Sequence, residues 1–103
     1  MENPIKHRKL SIQEIQSLLQ ETPGWVIEKN RLNKEFTFQN FSRAMIFVNK
    51  TVNPIEENQN YPRILILYNR VFISLFTNEV GALTATDFEM AKQFNMLAER
   101  NKA

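Results

Sequence analysis

Apolar and polar positions alternate along this chain in a way that changes period from segment to segment. From Ser11, the residues Ile12, Ile15, Leu18 and Leu19 recur at helical spacing and predict an amphipathic helix with all of them on one face. Ser11 with Glu14 forms a capping-box pair, in which each side chain can satisfy the other residue's free backbone N–H. Thr22-Pro23-Gly24 stops that helix. Trp25-Val26-Ile27 and Glu35-Phe36-Thr37-Phe38 then read as antiparallel strands around a turn at Asn30 to Asn33. Asn40 is a helix cap, and Phe41, Ala44, Met45, Val48 and Val52 supply the apolar stripe of a second helix. Pro54, which lacks an amide proton and crowds the preceding turn, is expected to end or kink it.

The polar run Glu56-Glu57-Asn58-Gln59-Asn60 leads into Tyr61-Pro62 and then into the most strand-like part of the chain. Ile64 to Tyr68 and Val71 to Phe76 flank Asn69-Arg70 as a hairpin. The two-residue strand period sends Val71, Ile73 and Leu75 toward the helices. Phe72, Ser74, Phe76 and Asn78 then face the other way. Two phenylalanines on that second face imply cover, either by another subunit or ligand or by curvature over loops. Thr84-Ala85-Thr86-Asp87 caps a last helix whose inner face carries Phe88, Ala91, Phe94 or Asn95, and Ala98. The order is α-β-β-α-β-β-α: an α+β fold, a four-stranded antiparallel sheet with helices packed on one face. With 103 residues there is room for one such unit, so residues 11–103 are expected to form a single domain behind a flexible basic tail at 1–10.

Composition narrows the chemistry. There is no cysteine, which excludes disulfides, a thiol nucleophile and thiolate metal sites. The single histidine, His7, sits in the polar N-terminal stretch, so no arrangement needing several imidazoles fits within one chain. Lys and Arg number 13 against 11 acids, and without a concentrated basic stripe nucleic-acid binding is disfavoured. No apolar run is long enough to span a membrane, and no greasy segment follows the basic N-terminus; a cytoplasmic protein is expected.

Asparagine is abundant, with twelve copies, while aspartate occurs once, at Asp87. Taken alone, Asp87 is a helix-terminal acid, and Glu56 and Glu57 are solvated surface acids. Tyr61 plugs the sheet edge or stacks on a flat ligand. Trp25 is a core anchor. Asn60 and Asn78 can recognise a polar ring by hydrogen bonds but cannot shuttle protons as imidazole does. No phosphate-cradling glycine pattern is present, and no catalytic triad can be made, because no histidine is placed to serve a serine or threonine as general base.

From about Ser11 to Ala98 the chain resembles the pterin-4a-carbinolamine dehydratase family. The likeness rests on Gly24-Trp25, Phe36-Thr37-Phe38, Asn40-Phe41 with Ala44, Pro62 with Ile64, and Tyr68-Asn69-Arg70-Val71. It continues through Ile73, Leu75 and Thr77 at alternate places, Leu83-Thr84, and Asp87-Phe88. The resemblance implies an active site with two consecutive histidines before a proline, a tyrosine six residues beyond it, a third histidine after the hairpin, and an aspartate at the last helix. An acidic residue precedes the first histidine by four. Here that frame survives as Glu56, Pro62, Tyr68 and Asp87, while the imidazole positions hold Asn60, Tyr61 and Asn78. Pro54 is a second departure.

By resemblance, those histidines hold the pterin and move protons as water leaves its 4a carbon. The expectation is therefore a catalytically impaired or inactive homo-oligomer, a dimer or dimer of dimers. It would bind a pterin-like small molecule or a protein partner through Glu56, Asn60, Tyr61, Pro62, Asn78 and Asp87, with no metal and no cofactor. The Tyr61-Pro62 pair is also similar to divergent relatives that act as Rubisco assembly factors. The alternative is a weak dehydratase in which Tyr61 acts as acid, assisted by Glu56 and bound water.

Overall fold

The structure, a computed structural model, describes residues 8–101. Its elements run α1 (Ile12–Leu19), β1 (Val26–Glu28), β2 (Arg31–Thr37), α2 (Phe41–Asn58), β3 (Arg63–Leu67), β4 (Arg70–Leu75) and α3 (Ala85–Arg100). The strands form one antiparallel sheet in the order β1-β2-β4-β3. This is the α-β-β-α-β-β-α arrangement that the periodicity predicts.

The sheet's inner face carries Leu32, Phe36, Val71, Ile73 and Leu75, all buried, against Ala44 and Phe47 of α2 and Phe88, Met90, Ala91 and Phe94 of α3. Trp25 anchors this core: its ring meets Phe36 edge-on at 5.8 Å, and its Nε1–H donates to Asn95 Oδ1 at 2.9 Å. The polar end of the indole is thus satisfied without reaching water.

Several local expectations shift. Ile12 is exposed, and only Ile15, Leu18 and Leu19 of α1 pack on the core, because so short a helix turns a single narrow strip inward. The first hairpin turns at Lys29-Asn30 rather than across 30–33; both residues take positive φ, which matches the twist of a tight two-residue turn. The second turns at Tyr68-Asn69, one residue early, with Tyr68 at φ 52° and the Asn69 side chain donating to Phe38 O at 2.9 Å. That bond ties the hairpin tip to the end of β2.

On α2 the buried positions are Ala44, Phe47, Thr51, Pro54 and Ile55, while Phe41 and Val52 of the expected stripe are exposed. Pro54 does not end the helix, which continues to Asn58. An interior proline costs roughly 3 kcal/mol through its missing donor and steric clash. Burial of its ring beside Ile55 offsets part of that cost. Of the expected N-terminal tail, residues 1–7, His7 among them, lie outside the described residues. Leu10 is buried, and its N–H donates to Leu83 O at 3.0 Å. Among the described residues no helix is long and apolar enough to cross a membrane.

Phe72 and Phe76 are half-buried without any second chain. Arg70 lies over the Phe72 ring at 5.2 Å and Arg31 over Phe76 at 5.3 Å, and Phe76 also packs against the core. The molecule's own guanidinium groups thus cover much of these rings.

Candidate functional site

The end of α2 sets the site. Gln59 takes a left-handed conformation (φ 49°, ψ 39°), its N–H bonding Glu56 O, and the next N–H, of Asn60, reaches back to Ile55 O. This is the Schellman pattern, which reverses the chain sharply where a helix stops. It turns the Asn60 side chain inward, so that an amide two residues past a polar helix end is buried.

There Asn60 Nδ2 donates to Asp87 Oδ1 at 2.7 Å and also approaches Met90 Sδ at 3.4 Å. Asp87, in the first turn of α3, is fully buried. Its other oxygen accepts the Thr84 backbone N–H at 3.0 Å and the Thr77 hydroxyl at 2.8 Å. The Thr77 and Thr84 hydroxyls lie 2.8 Å apart, so once Thr77 has given its proton to the carboxylate, Thr84 donates to Thr77. Three segments distant in sequence are joined by this network. Burial pushes the Asp87 pKa above the usual carboxylate value, and the bonds from Thr84, Thr77 and Asn60 pull the other way without cancelling it.

Outward of this network lies a cavity of about 400 Å³ lined by Asn58, Gln59, Asn60, Tyr61, Thr77, Asn78, Glu79 and Thr86. The geometry therefore brings Asn60, Tyr61 and Asn78 to one cavity. Asp87 stands behind it, touching it through Asn60 and Thr77. Glu56 does not line it; its carboxylate bonds the Tyr61 hydroxyl and raises that phenol's pKa, holding it protonated. Tyr61 is itself 57% exposed and so does not plug the sheet edge. Pro62 is half-buried and lines no part of the cavity. Tyr68 sits at the distant hairpin tip, also exposed.

Thr77, Thr84 and Thr86 belong to the site although they were not among its sequence candidates. One signal pointed to Thr77: it follows Ile73 and Leu75 at the inward strand period, so a hydroxyl is carried toward the only aspartate. Asn78 hangs from a tight loop closed on Thr77 O, which accepts the N–H groups of Val80 and Gly81 at 3.2 and 2.9 Å. Gly81 there has φ 75°, a conformation that glycine adopts freely.

The cavity offers amide and hydroxyl groups that can both donate and accept, the pattern suited to the edge of a flat polar heterocycle. Among the described residues, no three His, Cys, Asp or Glu side chains gather as a metal ion would need.

The sequence profile described as "Pterin 4 alpha carbinolamine dehydratase" matches residues 8–97. The chain belongs to this family. It is 40% identical over 89 residues to a protein of Picosynechococcus sp. named "Putative pterin-4-alpha-carbinolamine dehydratase", spanning 86% of this chain and 97% of the relative. A Thermomicrobium roseum protein of the same name is 43% identical over 84 residues, covering 82% and 90% of the two chains. Among solved structures, the transcriptional coactivator/pterin dehydratase from Brucella melitensis superposes with a TM-score of 0.85 at 27% identity, covering 88% of this chain and 99% of that one. A pterin dehydratase-like protein identified as a RuBisCO assembly factor in the alpha-carboxysome shares the fold, with a TM-score of 0.60 at 21% identity over 72% of this chain and 86% of that one.

Proposed function

We propose that this member of the dehydratase family binds a pterin-like heterocycle without efficiently dehydrating it, and works as a homo-oligomeric binding or assembly module. The observation that carries the reading is the Asn60–Asp87 contact at 2.7 Å. At the position where the family resemblance implies an imidazole, a neutral amide holds the buried aspartate, and the cavity lining contains neither imidazole nor thiol. Amides recognise; they do not carry a proton at neutral pH. Loss of several proton-transfer groups removes orders of magnitude in rate, each being worth roughly 10²–10⁴, though not additively.

Oligomerisation is supported by apolar surface that one chain leaves uncovered. Leu67 stands exposed on the edge strand β3, and Phe41, Ile46 and Val52 on α2. A dimer or larger assembly is expected from mass measurement in solution, and a strict monomer would remove this part of the reading.

A second reading is a weak dehydratase, favoured by the Tyr61 phenol held protonated beside Glu56 at the cavity mouth. Calorimetric titration with a stable pterin analogue, paired with a dehydration assay, separates the two. Binding without acceleration over buffer is the expected result. Acceleration that falls in Tyr61→Phe would establish the second reading, and absence of both binding and turnover would reject both.

A further inference from the structure

We propose that the outer face of the sheet holds a site for a small organic phosphate, with the phosphate seated between Arg31 and Arg63 above Ser74. The strand register places these groups together. Asn33, Ser74 and Arg63 are neighbours across β2, β4 and β3, and all face away from the helices. Arg31 reaches into the same row: its Nε donates to Ser74 Oγ at 2.6 Å and its Nη2 to Ser74 O at 3.0 Å, while its guanidinium rests on Phe76 at 5.3 Å. Arg31 is thus held in place before any ligand arrives, which lowers the entropy cost of binding. Ser74 accepts from Arg31 and keeps its own proton to donate.

Charge selects the ligand. Arg70, the third arginine on this face, has Glu35 at 3.7 Å. Among the described residues neither Arg31 nor Arg63 has a carboxylate within ion-pair distance. Burial, and after it the Arg63 charge, lowers the Arg31 pKa, while the Asp87 charge acts the other way. Two neighbouring guanidinium groups without an ion-pair partner suit a phosphate monoester, which carries about −1.5 to −2 charge and three acceptor oxygens. A carboxylate would neutralise only one of them. The surrounding groove, about 580 Å³, is lined in part by Val26, Leu65 and Phe72, with the carboxylates of Glu28 and Glu35 also on its wall. That size and apolar lining leave room for the organic part of the molecule. The groove shares no lining residue with the Asn60–Tyr61–Asn78 cavity, so the two sites stand or fall separately.

The test follows the arginine Nε–Hε resonances by NMR during titration with phenyl phosphate, benzoate and inorganic phosphate at low ionic strength. Phenyl phosphate should shift Arg31 and Arg63 saturably, and at least roughly tenfold more tightly than either other anion. Arg63→Ala should weaken it by about tenfold or more, whereas Arg100→Ala, on α3, should leave it unchanged. Arg63 is exposed, and an otherwise unaltered amide spectrum verifies that its variant is folded. Shifts that do not saturate, that persist in Arg63→Ala, or that benzoate reproduces equally would overturn the site. Inorganic phosphate binding as tightly as phenyl phosphate would overturn its assignment to an organic ligand.

Discussion

Helices α1 and α3 begin with the same local device in opposite surroundings. At α1, Glu14 bonds the Ser11 N–H at 2.8 Å, receives Arg8 at 2.7 Å, and faces solvent. Its pKa falls to about 2, first through the Arg8 bond and then through the backbone of Ser11. At α3, Asp87 bonds the Thr84 N–H at 3.0 Å, but it is fully buried and its pKa rises, because desolvation outweighs its hydrogen bonds. One acid does no more than start a helix. The other, sunk against Asn60 and Thr77, also joins the site's separate segments. A local motif tells where a helix begins, and only the tertiary environment decides whether the capping acid takes on a second role.

The strongest way to break this comparison is to remove the buried acid. Asp87→Ala would strand the Asn60 amide, the Thr77 hydroxyl and the Thr84 N–H, and should cost about 3 kcal/mol in urea denaturation. A loss no larger than that of Ser11→Ala would contradict the contrast. Asn60→Ala removes one of these bonds and should cost about 1–2 kcal/mol. It should also raise the Asp87 pKa further, since the Asn60 bond lowers it, as carboxyl-carbon NMR would report. Ser11→Ala should cost about 1 kcal/mol, the usual value of an exposed cap.

The smallest effect is one of pH, and its sign differs between the two helices. Glu14's contribution is present above its ordinary value of 4.5 and is lost as pH falls through about 2. Asp87 behaves in reverse: its protonated form suits the fold, so its contribution is full below 3.8 and fades as pH rises through its elevated folded value. Glu14→Gln should therefore flatten the stability profile between about pH 5 and pH 2 on the acid-losing side. Asp87→Asn should flatten the opposite slope above pH 3.8. Stability measured against pH in the two variants checks both directions.

Much of the architecture was legible, because strand alternation from Val71 to Leu75 and the two helix caps are signals that packing reinforces. The phase of α2 was not. Met45, Ile46, Phe47 and Val48 are contiguous apolar residues, so several stripes fit; the observed one runs through Ala44, Phe47, Thr51 and Ile55, with a threonine and a proline among its buried members. Tyr68 at positive φ was hidden for a similar reason, since the turn is set by the register of strands on either side rather than by a glycine or asparagine at that place. At the site, the family resemblance brought forward Asn60, Tyr61, Asn78 and Asp87. It could not tell that Asp87 lies behind the cavity, or that Glu56 reaches it only through Tyr61. Those are consequences of the reversal at Gln59, which depends on backbone geometry.

The proposed function has the cavity recognise its ligand without the groups needed to move protons. Its most direct test is the rate of carbinolamine dehydration in the unaltered protein beside the variant Asn60→His/Tyr61→His/Asn78→His. The unaltered protein should match buffer, and the folded triple variant should accelerate the reaction by about 10² or more. Rapid turnover by the unaltered protein, with no gain from the histidines, would contradict the account.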